Sequence, residues 1–253
     1  VSSFLIFDIE TVIDTEFPLV EGADTQKLPP PTHHRVIAVG ALLLTGKELL
    51  PKRLGIIGKG QDGTETDHEP TILNEFTELV EKHQPTLVSY NGRGFDLPVL
   101  AMRCFRHGIP FRAYYQGRDM RYRFTENGHF DLMDYLADFG ASRPVKLDVM
   151  AKLCGMPGKV GVDGKDVGPL FHKGKIEEIR NYCLCDVIQT AGVFLRTQLL
   201  RGNLSRNLYV EAMRALIHLT QQDERVVAVS NALDIPRLLL NEPLESLAKE
   251  ALV

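Results

Sequence analysis

The chain is poor in the features that mark several protein classes. It has only four cysteines, Cys104, Cys154, Cys183 and Cys185, with no disulfide-framework spacing and no paired Cys-x2-Cys unit. That argues against a disulfide-stapled scaffold or a zinc ribbon and points to a reducing compartment. No apolar run reaches the roughly 18–20 residues of a membrane span, and no basic segment leads into an apolar one at the start. We therefore expect a soluble, cytoplasmic protein with no membrane partner. Positive charge is not in excess: 29 Lys and Arg stand against 33 Asp and Glu, a net charge of -4. This balance lacks the broadly basic surface of many nucleic-acid binders, yet it leaves room for a local basic patch beside an acidic metal site. Internal repeats, low-complexity segments and the Gly-x4-Gly-Lys-[Ser/Thr] phosphate loop are also absent. What remains is ordinary globular composition, 44% hydrophobic and 25% charged over 253 residues. With no strong linker, we expect one domain over 1–253, its core about 1–200 and a C-terminal helical extension about 201–253.

The first clear element is "FLIFDIETV" at residues 4–12. A short continuous apolar run over 4–9 predicts a buried central strand, with Asp8 and Glu10 at its end. Residues two apart on a strand share a face, and two like charges held together call for a cation. Residues 14–34, with Pro18 and "LPPPTHH", read as a loop. Strands are expected over 35–45 and 48–58, joined by a tight turn at Gly46-Lys47. Pro70 marks the first turn of a helix whose Ile72, Leu73, Phe76, Leu79 and Val80 fall on one face, ending at Pro85. Residues 86–91 predict a further strand. "GRGFD" turns it into a helix with Asp96 near its N-cap and Pro98 in its first turn. Helices are expected over 131–139, 146–154 and about 175–200, and in the tail near 204–221 and 236–252. The glycine-rich stretch 155–174 reads as a mobile connection. Strands first, then helices interleaved with strands, predict a mixed α/β sheet flanked by helices.

Four acids stand out against this frame. Asp8 and Glu10 lie on the first strand, Asp96 where a strand passes into a helix, and Asp186 within the long helix, four residues after Tyr182 on the same helical face. Hard oxygen donors of this kind suit Mg²⁺ or Mn²⁺ rather than zinc, and four acids around two ions would form a two-metal phosphoryl-transfer site. Each signal alone has a plainer reading. Asp-x-Glu can be a surface turn, Asp96 a helix cap, and Tyr-x3-Asp a solvated pair.

Taken together, "FDIET", "YNGRGFDLPVL" and "YCLCD" resemble, in order and spacing, the three motifs of the tyrosine-type DEDD 3′–5′ exonucleases. The second is especially similar to the version in family-B DNA polymerases, where Asn and Phe precede the Asp. "HFDLMDYL", "KLDVMAKLCGMPGK" and "GVDGKDVGPLF" resemble a bacterial group of stand-alone proteins predicted to be exonucleases related to the family-B proofreading domain. The resemblance covers most of residues 4–200 and implies a ribonuclease H-like fold. It also implies that Asp8, Glu10, Asp96 and Asp186 hold two divalent ions, Mg²⁺ or Mn²⁺, and that Tyr182 orients the attacking water. Thr11, Asn91 and Phe95 would place the terminal nucleotide, with Phe95 stacking on a base without reading its edges. The implied activity is hydrolysis of terminal phosphodiesters of nucleic acid, single-stranded DNA foremost, to nucleoside monophosphates. An exoribonuclease or oligonucleotide trimmer, and a non-catalytic nucleic-acid-binding module, are the alternatives.

Secondary signals remain open in the sequence. Arg103, Arg106, Arg112, Arg118, Arg121 and Arg123, interleaved with Tyr114, Tyr115 and Tyr122, could line a phosphate path or form a solvated face of ion pairs. Lys159 and Lys165 could touch a strand, or sit in a plain connection. His33, His34, His129 and His172 show no metal-pair spacing with the cysteines, and none is given a catalytic role. Cys183 and Cys185 fall on different helical faces and read as packing residues. The tail could pack on the core or offer a partner surface.

Overall fold

A computed structural model describes residues 3–17, 29–117, 119–161 and 163–240. Strand β1 (Ser3–Ile13) is the middle of a five-stranded sheet. It pairs antiparallel with β2 (His34–Thr45), which pairs antiparallel with β3 (Leu50–Ile57). On its other side β1 pairs parallel with β4 (Thr86–Ser89), and β4 with β5 (His129–Asp131). The order is β3-β2-β1-β4-β5. The edge strand β3 carries Pro51 and the exposed Lys52 and Arg53, residues that discourage further strand pairing.

Helices cover both faces. In chain order they are α1 (Glu69–His83), α2 (Asp96–His107), α3 (Arg112–Tyr115), α4 (Leu132–Leu136), α5 (Leu147–Cys154), α6 (Val167–His172), α7 (Ile176–Leu200), α8 (Arg206–Gln222), α9 (Val227–Ser230) and α10 (Ile235–Leu238). The two-residue period of β1 divides the core. Leu5, Phe7 and Ile9 pack with Ile72, Phe76 and Val80 of α1 and Leu97 and Leu100 of α2. Ile6 packs with Leu42, Val88 and the α7 residues Leu184, Val187 and Phe194. Burial on both faces explains why β1 reads as a nearly continuous apolar run. Each large side chain removed from water here contributes roughly 1.5–3 kcal/mol. The even-numbered positions after Ile6 on this face are Asp8 and Glu10, which turns them toward α7.

Several expectations need correction. The acids do not end β1; they lie inside it, because β2 stays paired with it as far as Ile13↔His34. The register shifts between Glu10 and Thr11, leaving β2 one extra residue there. The β2–β3 turn spans Gly46–Leu49, with Gly46 at φ 82° and Leu49 at φ 55°, so it is wider than a two-residue turn. The segment 155–174 is not a plain connection, since it contains α6, preceded by a helical turn at Gly164–Asp166 that Asp163 caps. The expected helix over 131–139 is shorter, and Asp131 caps it by accepting from Met133 N and Asp134 N. The short elements α3 and β5 gave no periodic signal long enough to read. In the tail, α8 buries Tyr209, Met213 and Leu216 against α7, which is the packing reading. Tyr209 Oη donates to Leu238 O at 2.7 Å and accepts from Arg196 Nε at 2.8 Å, tying α7, α8 and α10 together. Of the helix expected over 236–252, α10 ends at Leu238 and 241–252 lie outside the described residues, as does most of the expected loop 14–34.

Candidate active site

Asp8 and Glu10 point from the sheet toward α7, Asp96 is the first residue of α2, and Asp186 projects from the middle of α7. Glu10 and Asp96 are buried; Asp8 and Asp186 are half-buried. Ligand atoms of Asp8, Glu10 and Cys183 all lie within 4.8 Å of one another. The acids also interact at a distance. Burial and the charges of Asp96, Glu10 and Asp186 raise the Asp8 pKa well above the carboxylate range. Burial, with Asp186 and Asp96, does the same to Glu10. Burial lifts Asp96 to about 7 and Asp186 to about 6.

Two other buried acids are treated differently. Asp14 and Glu69 are also buried, yet Arg103 reaches Asp14 Oδ2 at 2.6 Å and Glu69 Oε2 at 2.6 Å. Among the described residues, no Lys, Arg or His forms an ion pair with Asp8, Glu10, Asp96 or Asp186. Four interacting carboxylates without an ion-pair partner are unfavourable by themselves. Their all-oxygen donor set fits Mg²⁺ or Mn²⁺. Cys183 is not an anionic ligand in this state: burial and the Asp8 charge push its thiol well above its usual pKa.

The tightness of the site begins at a glycine. Gly40 faces Asp8 in the β1–β2 ladder, and its N–H donates to Cys183 Sγ at 3.2 Å. A Cβ at Gly40 would lie 2.9 Å from Cys183 Sγ and 3.1 Å from Val187 Cγ2. The missing side chain is what lets α7 settle on the sheet at the level of the acids. Cys183 in turn donates toward Asp8 O at 3.4 Å, with Asp8 Oδ2 at 3.7 Å. Reading it as a packing residue missed this contact with the acid. Gln189 was missed as well; its Nε2 donates to Asp186 Oδ1 at 3.2 Å.

The turn between β4 and α2 is hung from Asp131. That carboxylate accepts from Asn91 N at 3.0 Å and Arg93 N at 2.8 Å, besides capping α4. Asn91 has φ 70°, and its carbonyl accepts from Gly94 N at 3.0 Å and Phe95 N at 3.1 Å. A Cβ on Gly92 would collide with Ser89 Oγ and sit 3.5 Å from Asp96 Oδ2. Phe95, not Asp96, is the N-cap, and no side-chain bond caps the helix. Asp96 is therefore free of the capping duty that its position suggested. Asn91 and Phe95 are partly exposed.

Tyr182 packs with Val12, Ile37, Val167 and Ile179. Burial and the charges of Asp186, Glu10 and Asp8 keep its phenol protonated. Thr11 Oγ1 lies 2.9 Å from His34 Nδ1, and the His34 ring meets Phe95 edge-on at 4.9 Å. His34 thus touches two of the expected substrate contacts, a role that residue spacing could not show. His129 is fully buried against Ser89, with its pKa pushed down to about 3 by burial first.

The arginines do not form one open row. Arg103 is committed to Asp14 and Glu69, Arg106 to Glu16, Arg112 to Glu81 at 3.2 Å and Arg123 to Asp134 at 2.5 Å. Arg121 lies over the rings of Tyr114 and Tyr115 at 5.6 and 5.2 Å, and Arg118 falls outside the described residues. Lys165 is exposed, and Lys159 pairs with Asp163 while its charge also reaches Asp186.

The strand order and the helices on both faces define a ribonuclease H-like α/β protein with a carboxylate site. Residues 26–231 match the family described as a predicted 3′–5′ exonuclease related to the exonuclease domain of PolB, and the chain belongs to it. Asn91, Phe95, Asp96, Tyr182 and Asp186 lie within the matched residues, and Asp8, Glu10 and Thr11 lie before them. A DNA polymerase of Archaeoglobus fulgidus is 27% identical over 132 residues, 49% of this chain and 17% of that protein. The family B DNA polymerase of the hyperthermophilic archaeon Pyrobaculum calidifontis superposes with a TM-score of 0.53 at 19% identity, over 86% of this chain and 29% of the other. The chain thus spans less than a third of either polymerase. Among the described residues, no helix is long and apolar enough to cross a membrane.

Proposed function

We propose that the chain is a metal-dependent 3′–5′ exonuclease acting on single-stranded DNA as one domain over residues 1–253. One observation carries the reading: Asp8 and Glu10 lie within ligand reach of each other, the charges of Asp96 and Asp186 act on both, and none of the four forms an ion pair among the described residues. Asp8, Glu10, Asp96 and Asp186 would hold two divalent ions, Mg²⁺ or Mn²⁺. When bound, these would lower the pKa of a water and neutralise charge developing on the leaving oxygen. Tyr182, kept protonated one turn before Asp186, orients the attacking water through its hydroxyl. Asn91, Phe95 and Thr11, each partly exposed, would place the terminal nucleotide. The water oxygen adds to the last phosphorus in line with the P–O3′ bond, which breaks; the attacking water gives up a proton to solvent and the departing O3′ takes one up. The released nucleotide leaves as a nucleoside 5′-monophosphate, and the shortened strand keeps a 3′-hydroxyl.

DNA is favoured over RNA by the likeness to two DNA polymerases. The test is digestion of 5′-labelled single-stranded DNA and RNA of one sequence with Mg²⁺, Mn²⁺ or EDTA, beside Asp8→Ala. The expected result is a metal-dependent ladder on DNA that shrinks from the 3′ end and is absent in the variant. A ladder on RNA alone would make the chain an exoribonuclease, and tight binding without cleavage would make it a binding module.

A further inference from the structure

The C-terminal end of α7 and the neighbouring α5 leave apolar side chains in water. Leu153 is 64% exposed and Leu200 75%, and Val149, one turn before Leu153 on α5, is 46% exposed. Between the two helices lies a cavity of about 200 Å³ lined by Leu136, Met150, Leu153, Val193 and Leu200. Arg196 is also on its wall, but its charged end turns to the backbone: Nη2 donates to Cys154 O at 3.2 Å, Arg237 O at 2.8 Å and Leu238 O at 3.4 Å. These bonds bring α10 to the edge of the cavity. Asp234 N donates to Gly155 O at 2.9 Å, so α10 also abuts the end of α5. Arg206 Nη2 donates to Leu240 O at 2.6 Å, and Leu240 is the last of the described residues. The described chain thus stops beside an uncovered apolar groove.

Residues 241–253 follow, "NEPLESLAKEALV". Leu244, Leu247, Ala248, Ala251 and Leu252 recur at the spacing of one helical face, and Glu242, Glu245, Lys249 and Glu250 fall outside it. Pro243 suits a first helical turn, and acids are favoured near it. A helix over 244–252 would be about 13 Å long, close to the length of the eight-residue α5, and 241–243 can bridge up to about 10 Å. Such a short helix is not stable alone in water, so it needs an apolar surface. Tethering holds this segment at a millimolar-scale effective concentration beside the groove, an advantage that a separate partner or a second copy lacks.

We propose that the groove between α5 and α7 is the docking site of the chain's own segment 241–253, whose Leu244, Leu247 and Leu252 cover Leu153 and Leu200. The proposal does not depend on the exonuclease reading.

The test is amide hydrogen–deuterium exchange of the full 253-residue chain, read over residues 241–253, with sedimentation velocity and a melting temperature for each sample. In wild type, the amides of 247–252 should exchange at least about tenfold more slowly than in a synthetic peptide of residues 241–253. Leu153→Asp/Leu200→Asp alters two exposed side chains and should return those amides to the rate of the peptide while the rest of the chain stays protected. Leu244→Asp/Leu247→Asp should do the same from the other side. Phe105→Asp, at an 84% exposed ring on α2, which packs on the other face of the sheet, should leave the protection in place. Wild-type amides that exchange at the peptide's rate, or protection that survives Leu153→Asp/Leu200→Asp in a folded chain, would overturn the proposal. Protection that fades on dilution together with a sedimenting dimer would put another copy's segment in the groove and overturn it as well. If the groove double variant does not fold, Leu200→Asp alone decides the matter.

Discussion

The N–H of Gly40 donates to the Sγ of Cys183 at 3.2 Å, and this bond pins the long helix to the sheet beside Asp8. It couples an unremarked glycine of β2 to the acid cluster through direct contact.

Gly40→Ala should therefore damage the site from outside it. The added methyl lies 2.9 Å from Cys183 Sγ, so α7 must shift, at a cost of about 1–3 kcal/mol. Urea unfolding should show the loss, and nuclease activity should fall with it. Adding Cys183→Ala removes one of the two crowding atoms and should recover part of the stability. Strictly additive effects in that double-mutant cycle would mean the two positions do not press on each other.

The metal-free protein should lose stability as pH rises from about 5 to 8. Carboxyls with raised folded pKa values bind more protons folded than unfolded. Their contribution is complete below the unfolded value of about 4 and is lost as pH passes the folded values, which are about 6 for Asp186 and about 7 for Asp96. Urea midpoints in EDTA at the two pH values check this. Asp8→Asn should flatten the trend and raise the midpoint at pH 8, and Mg²⁺ should restore wild type there. A wild-type midpoint that climbs with pH in EDTA would contradict the repulsion argument.

Tyr182→Phe removes one hydroxyl from a packed ring. Turnover should drop by roughly 10–100-fold, the scale of one strong hydrogen bond in the transition state. Strand affinity and melting temperature should stay near wild type. Single-turnover rates and binding titrations separate the two, and unchanged turnover would remove Tyr182 from the mechanism.

Arg103→Met should behave as a folding mutation. It removes the shared guanidinium from two buried acids, leaving Glu69 only His107 at 2.7 Å and Asp14 only Arg106 at 3.9 Å, a loss of up to about 3–5 kcal/mol. The salt dependence of strand binding should not change, because this arginine faces protein acids at 2.6 Å rather than solvent. A shallower salt slope in a folded variant would return Arg103 to the strand path.

Much of this architecture is legible in the chain itself. Periodicity marks α1, punctuation by Pro70 and Pro85 marks its two ends, and the run before Asp8 marks the central strand. The spacing of Asp8 with Glu10, and of Tyr182 with Asp186, states which side chains share a face. These are local properties, carried by the repeat of a strand or a helix over a few residues. The short α3 and β5 and the helix inside 155–174 escaped because too few residues repeat to show a period.

The tertiary structure alone decided which charges stand unpaired. Nothing local separates Glu10 from Glu69: both are buried acids, yet Glu69 meets Arg103 while Glu10 feels the charges of Asp96 and Asp186 and lies beside Asp8. The same holds for Arg103 against Arg121, and for His34, whose partners Pro29, Thr11 and Phe95 come from different parts of the chain. Residue type and spacing set which face a side chain leaves its own element. What it meets across that face depends on how distant elements pack, and electrostatic function follows from that meeting.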